Sequence, residues 1–425
     1  MKDKIKIENS FSQNISVGWF LAWRDIKHAN KWTTALIVFV MTLTFLNLIV
    51  VSGILIGLIQ GSEDAQKKYA IGDIVISPFL NRSEIQQTPK VEEIIKTIPG
   101  YRDHTTRYTG SAFVESDYRK TIKPGEKNDG VGGSLLGIDP VQEEKFSGIS
   151  KFIIRGSYLN STDQDSVLLG KNLLYEFTPI EAPGFQTLKN APVGGRVRLT
   201  VGDTSKEYFI KGIISSKVDI FDGSVVALSS EVRKLTGRTD LNAGTVAVQL
   251  LPGTDPVFAQ NFLLDSGVGE YARVQTAEEA FPKFLKDIKA TFNILGSAIS
   301  GIGLVVASIT IFIVIFVNAI TRRRYIGILK GIGINKKAIL YSYMYQAFIY
   351  AFLGIIFGML LTFILIKPYF TAHPINFPFS DGILVATLSG SFIRAGILLF
   401  TTIVAGYIPA NIVIKQNTLS AILGR

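Results

Sequence analysis

The stretch ILGSAISGIGLVVASITIFIVIFVNAITRRRYIGILKGIGINKKAIL, from Ile294 to Leu340, holds two facts that decide the fold. Its first part, Ile294–Ile320, carries no charged residue. Its second part gathers Arg322, Arg323, Arg324, Lys330, Lys336 and Lys337 with no acid among them, and another apolar run begins directly after. As a helix rising 1.5 Å per residue, such a run spans a hydrocarbon core of roughly 30 Å. Cations in a short loop between two such runs mark the cytoplasmic side.

Composition extends that reading to the whole chain. Only 18% of the 425 residues are charged, against about a quarter in a soluble domain, and mean hydropathy is +0.31. Four runs are long and apolar enough to span: Thr33–Ile59, Ile294–Ile320, Ile339–Ile366 and Ile383–Ile408. Helices buried in a soluble core are shorter and have mixed neighbours, whereas three of these runs crowd the last third of the chain. The expected fold is an α-helical membrane protein of four transmembrane helices. A large extracytoplasmic α+β domain is inserted between the first and second.

Charge sets the orientation. Arg24, Lys27 and Lys31 precede the first run, and Lys415 and Arg425 follow the fourth. KPYFTAHPINFPFSD, Lys367–Asp381, is poor in cations and faces outward. Both termini are then cytoplasmic in a multi-pass protein of the cell (inner) membrane. The first run is too long for a signal-peptide core and lacks a small-x-small site, so it reads as an uncleaved anchor. The expected order is a cytoplasmic amphipathic segment (1–32), first span (33–59) and outer domain (60–282). A stalk with the second span (283–320), a cytoplasmic loop (321–338) and the third span (339–366) follow. An outer loop (367–382), the fourth span (383–411) and a cytoplasmic tail (412–425) complete it.

Within the outer domain, alternating runs predict strands at GDIVISP (72–78), RVRLTV (196–201), EYFIKGIIS (207–215) and TVAVQLL (245–251). KPGEKNDGVGG (123–133) reads as a turn. GDIVISP, the helix PKVEEIIKTI and an extended run near Thr105–Val114 echo TVAVQLL, the helix DPVFAQNFLLDSG and YARVQT. The two strand–helix–strand units should form one lobe and residues 116–230 a second. Phe281, Phe284, Leu285, Ile288, Phe292 and Leu295 lie on one helical stripe that runs into the second span, so the stalk should be one helix from about Ala277.

Reactive motifs are missing. No G-x-x-x-x-G-K-[ST] loop, G-x-G-x-x-G after a strand or G-x-S-x-G elbow occurs. His28, His104 and His373 are too scattered for one metal site, there is no cysteine, and the spans hold no acid. The expectation is a non-enzymatic chain with no cofactor, no metal and no nucleic-acid partner. Arg394 is the charged residue inside a span. It reads as a snorkelling side chain on a helix that starts near Leu388. In the basic loop, Ile326, Ile328 and Leu329 fall within one turn, Gly331 and Gly333 break the helix, and Lys336 and Lys337 start the next. That is a short helix with an apolar face on the cytoplasmic side, and such a face needs a partner.

These residues resemble the FtsX-like permease family of ABC transporters, the family of MacB, LolC and LolE. TRRRYIGILKGIG matches the family's arginine cluster and following run, with Tyr325 in place of a glutamate and Gly331 in place of an alanine. Pro409, Ala410, Lys415 and Ala421 match its C-terminal pattern. Thr418, Ile412, Val413 and Gln346 depart from it, the last standing where many members have a glutamate. SLLGIDPVQEEKF, IIRGSYL, SVLLGKNLL and VGGRVRLT resemble the MacB-type periplasmic core. The resemblance implies that Arg322, Arg323, Arg324, Ile326, Gly327, Ile328, Leu329, Lys330, Gly331, Gly333, Lys336 and Lys337 form a coupling helix. It would dock on a separate cytoplasmic ABC ATPase. It implies a dimer with a second permease copy or paralogue, contact with membrane lipids, and an extracytoplasmic adaptor or lipoprotein as a further partner. Motion of the ATPase would pass through the stalk to the outer domain and export or extract a hydrophobic or lipidated substrate. An FtsX-like transducer that activates a cell-wall hydrolase is the alternative, and a receptor without an ATPase a third.

Overall fold

The structure is a computed structural model that describes residues 2–118, 129–179, 186–373, 375–377, 380–382 and 384–415. Along the chain, helices α1 (Lys2–Lys27) and α2 (Lys31–Gln66) lead through a π-helical turn, Lys67–Ile71, into β1 (Ile74–Ser77), α3 (Thr88–Ile95), β2 (Tyr101–Glu115) and β3 (Gly130–Ile138). There follow α4 (Pro140–Ser147), β4 (Ile153–Gly156), β5 (Ser166–Gly170), β6 (Arg196–Val201), β7 (Thr204–Ile214), α5 (Asp219–Asp222), β8 (Ser224–Leu228) and α6 (Ser229–Leu235). Then come β9 (Thr245–Leu250), α7 (Pro256–Asp265), β10 (Arg273–Thr276), α8 (Ala277–Ala280), α9 (Lys283–Thr321) and α10 (Arg323–Gly331). The chain ends with α11 (Lys336–Leu360), a π-helical turn (Leu361–Ile366), α12 (Lys367–Ala372), β11 (Ile375–Phe377), β12 (Ser380–Gly382) and α13 (Leu388–Ile414). It divides into a helical unit, drawn from the residues up to Ile59, Asp287–Asn376 and those from Gly382 on, and a strand-rich unit of Gln60–Lys286 with Phe377–Asp381.

Four helices are long and apolar enough to cross a membrane: Lys31–Ile71, Lys283–Thr321, Lys336–Ala372 and Leu388–Ile414. Between apolar helices in lipid, association depends on close packing and polar contacts rather than on the hydrophobic effect. Gly354 and Gly358, one turn apart on α11, supply the first. A Cβ at Gly354 would lie 2.4 Å from Met41 Cβ, and one at Gly358 would lie 2.5 Å from Phe45 Cδ1. Gly406 of α13 meets Ala347 in the same way, with a built Cβ 2.9 Å from its methyl. Between α2 and α9 the Ser52 and Ser300 hydroxyls are 3.0 Å apart. Met41, Phe45, Ile311, Ile315, Ala347 and Leu398 are buried in the shared core. α13 begins at Leu388 rather than Ile383, because the Thr387 hydroxyl accepts from the Gly390 amide at 3.2 Å and caps the helix there. Arg394 therefore sits in its second turn, half-buried.

In the strand-rich unit the sheet runs β10-β1-β9-β2-β3-β8-β5-β7-β4, with β6 bridging β2 and β7. β1 lies between β9 and β10, antiparallel to both. The two strand–helix–strand units therefore interlock, and Ile74, Ile76, Val91 and Ile95 share one core with Val246, Val248, Ala259 and Leu263. A second core holds Val114, Leu135, Val167, Val197, Ile210 and Val225. The boundary falls inside β2: Tyr101–Arg107 pair with β9, and Tyr108–Glu115 with β3. The second lobe thus starts at Tyr108, not Ser116. Residues 130–133 of the expected turn are strand. A Cβ at Gly130 would come 2.7 Å from the Phe113 ring, so a larger residue there has to push the ring aside. Residues 123–128 of that turn lie outside the described residues.

At the change of sheet sits a buried charge pair. Arg107 and Glu143 have fully buried side chains. Arg107 Nε and Nη2 donate to the two Glu143 oxygens at 2.9 and 2.7 Å. Thr105 Oγ1 donates to the same carboxylate at 2.8 Å. The rest of the guanidinium serves the backbone, donating to the carbonyls of Ala70 and of Tyr69, the latter at 3.1 Å. Phe146 and Phe221 rings flank it at 5.6 and 5.2 Å.

The expected single helix from Ala277 is broken. α8 is a one-turn helix opened by a Thr276–Glu279 capping box. Phe281, which precedes Pro282, takes φ −59°, ψ 129°, since proline disfavours helical geometry in the residue before it. α9 starts afresh at Lys283.

Candidate coupling surface

α10 follows α9 after a single residue, Arg322, and is amphipathic. Ile326 and Leu329 are 2% and 8% exposed, and Gly327 is buried. Both side chains belong to the core of the helical unit. Ile328 and Ile332 point the other way, 47% and 71% exposed. The expected apolar face therefore divides: Ile326 and Leu329 hold α10 on its own bundle, and Ile328 with Ile332 is what remains for a partner. Of the two expected helix breakers, Gly331 is the last residue of α10, and Gly333 alone takes a positive φ, +92°. Asn335 Oδ1 then accepts from the Lys337 amide at 3.0 Å and starts α11.

The cations divide too. Arg322 pairs with Asp25 of α1 at 2.7 Å. Gln346 of α11 donates to the other Asp25 oxygen at 3.3 Å. The Arg24 guanidinium stands 5.5 Å from the Tyr325 ring centroid. Lys330 donates from Nζ to the Ile414 carbonyl at the end of α13. Burial first, and the Lys336 charge second, hold its pKa below the usual lysine value. Arg324, Lys336 and Lys337 are exposed, and Arg323 is half-buried. Tyr325 and Gln346 are thus both engaged, with Asp25 supplying the carboxylate.

Asp25 was not singled out in the sequence. A signal existed: it is the single acid from Ser12 to Ile59, and Ile288 to Ala372 holds none. One carboxylate amid so many cations is expected to be used. Asp25→Asn should release α10 from α1, at a cost of about 1–2 kcal/mol for a half-buried charged hydrogen-bond set. Faster amide exchange confined to Ile326–Lys330 would show it, and the swap Asp25→Arg with Arg322→Asp should restore much of the protection. Unchanged exchange in Asp25→Asn would mean the pair does not position α10.

The stalk stripe is unevenly packed within the chain. Phe281 is 7% exposed, Phe284 71% and Leu295 47%, with Leu285, Ile288 and Phe292 half-buried. Among the described residues no three His, Cys, Asp or Glu side chains gather as metal ligands.

Residues 297–418 match the FtsX-like permease C-terminal family. This part of the chain is similar to that family. Among curated proteins it is similar to the macrolide export ATP-binding/permease protein MacB of two Campylobacter jejuni subsp. jejuni strains. Each is 24% identical over 289 residues, covering 65% of this chain and 43% of the relative. The chain spans less than half the length of these relatives. The periplasmic region of MacB from Actinobacillus actinomycetemcomitans aligns with 49% of this chain and 91% of its own, at 13% identity and a TM-score of 0.34. The extracellular domain of the noncanonic ABC-type transporter YknZ from Gram-positive bacteria aligns with 48% of this chain and 98% of its own, at 12% identity and a TM-score of 0.32.

Proposed function

We propose that this permease sits in the cytoplasmic membrane with both termini and α10 inside and the strand-rich unit outside. An ABC ATPase on a separate polypeptide docks on α10, and its motion passes along α9 to the strand-rich unit. There it exports or extracts a hydrophobic or lipidated substrate. The observation that carries the reading is the Ile328–Ile332 patch, presented by a helix whose opposite face is packed on its own bundle. An apolar anchor on a rigid support is what a desolvated interface core needs. The exposed apolar side chains of α9, such as Ile299, Ile302, Val306 and Ile309, suit a second permease copy or paralogue in the bilayer. An extracytoplasmic adaptor or lipoprotein would meet the strand-rich unit.

Topology is tested first, and the absence of cysteine makes it direct. Lys336→Cys should react with a membrane-impermeant thiol reagent only after the inner membrane is opened, whereas Asp203→Cys, on an exposed β6–β7 turn, should react in intact spheroplasts. The reverse pattern would overturn the orientation and the ATPase site with it.

A further inference from the structure

A cavity of about 240 Å³ opens in the strand-rich unit, lined by Asp64, Lys67, Lys68, Asp73, Arg102 and Gln249 among others. The end of α2 with its π-helical turn, the start of β2 and the end of β9 build it. Its floor is tied down. Asp73 Oδ2 accepts from the Leu250 amide at 2.9 Å, and Oδ1 pairs with Lys67 at 3.1 Å. Gln249 Nε2 donates to the Phe146 carbonyl at 3.1 Å and to the Lys68 carbonyl at 3.3 Å. Asp73 and Lys67 thus cancel each other. Asp64, Lys68 and Arg102 are different: among the described residues none of the three enters an ion pair. Lys68 rests against the Tyr69 ring, its Nζ 5.0 Å from the centroid.

We propose that this cavity binds a zwitterionic phosphoester, its phosphate held by Lys68 and Arg102 and its amine by Asp64. Two uncommitted cations and one uncommitted carboxylate match one phosphate and one ammonium. Neither a simple cation nor a simple anion uses all three. Arginine offers phosphate oxygens a planar fork and lysine a point charge. Asp64 and Lys68 stand four residues apart where α2 passes into its π-helical turn, about 5–6 Å between Cβ atoms. That is the reach of a two-carbon link between phosphate and amine. Asp64 also lies five residues past Ile59, where the apolar run ends, about 7 Å along the helix. This is the depth of one headgroup layer. An ethanolamine-type phospholipid headgroup and a free phosphoester of the same kind are therefore the two sources.

The depth argument rests on the membrane reading; the binding does not, and neither an ATPase nor a bilayer enters its test. The purified full chain, held in amphipol, is titrated calorimetrically with three probes. Dihexanoyl-phosphatidylethanolamine carries both charges. Dihexanoyl-phosphatidylglycerol keeps the phosphate and lacks the amine, and glycerophosphoethanolamine lacks the acyl chains. Arg102→Gln should weaken both lipids at least about tenfold. Asp64→Asn should weaken the ethanolamine lipid about tenfold and leave the glycerol lipid unchanged. Lys286→Gln, which removes an exposed cation elsewhere on the unit, should change neither. All three side chains are exposed, so the variants should fold. A bare headgroup that binds as tightly as the lipid supports the site with a free phosphoester as its source. One that binds more weakly supports it with the lipid as source. No saturable binding by any probe overturns the proposal. So does an equal loss in Lys286→Gln, which would mean general attraction to a basic chain, or an ethanolamine lipid indifferent to Asp64→Asn. Those results leave the orientation standing, whereas reversed thiol labelling of Lys336→Cys would overturn the orientation and leave the titrations intact.

Discussion

Glu143→Ala should lower the stability of the strand-rich unit by about 3–5 kcal/mol, because it strands the Arg107 guanidinium in a fully buried site. Desolvating a charge is costly, and the pair is tolerated because each of its nitrogen and oxygen atoms is hydrogen-bonded. Glu143 takes three donors, two from Arg107 and one from Thr105. Arg107 gives two further N–H groups to two carbonyls of the turn that follows α2. For a unit of this size the loss corresponds to a melting midpoint roughly 10 °C lower, read by pulse proteolysis of the full chain on heating. Replacing both partners with apolar residues, Arg107→Met with Glu143→Leu, should recover roughly half, since the Tyr69 and Ala70 carbonyls stay unpaired. A wild-type midpoint in Glu143→Ala would show that the pair contributes nothing.

The second large effect belongs to α10. Ile328→Asp and Ile332→Asp should each weaken capture of the ATPase by at least about 2 kcal/mol, some thirtyfold, by placing an unpaired carboxylate in a desolvated contact. The fold of the helical unit should survive, since both side chains already face solvent. Leu329→Asp should behave differently. Its carboxylate would enter the bundle's own core, so the variant should reach the membrane at reduced level and bind in proportion to what folds. Lys336→Gln and Lys337→Gln should change binding little, because exposed rim charges contribute at most about 1 kcal/mol each. Copurification at matched membrane level separates these outcomes. An ATPase that stays with both Ile variants would remove α10 as the docking site.

What could be read in the sequence follows from how far each signal reaches along the chain. Four long apolar runs reveal four long apolar helices, because length and lack of charge are properties of the segment alone. β6 and β9 fall where the period-two alternation puts them. The apolar face of α10 was half-read for a related reason. Ile326, Ile328 and Leu329 lie within one turn, and nothing local says which of them turns to the bundle and which away. Asp25 was missed because its partners, Arg322 and Gln346, lie in distant segments and meet only in three dimensions. The stalk stripe is visible as periodicity, but the period runs straight across Pro282, where backbone sterics stop the helix. GVGG reads as a turn because its three glycines give the same local signal whether the chain bends or, as at Gly130 against Phe113, runs on as strand.

The sharing of β2 between two sheets sets an order of assembly. β1 finds both of its neighbours, β9 and β10, only after the whole second lobe has been synthesised. Strands β3 to β8 pair among themselves and with the later half of β2, so all of them are available earlier. As the chain emerges from the ribosome, the second lobe can close first, while β1 and the leading half of β2 wait as an open edge. Such edges invite pairing with other chains, and loops that close late close slowly. The interval between the appearance of β1 and that of β9 is therefore when this protein most needs a chaperone, and slowing translation between Ser224 and Thr245 would lengthen it.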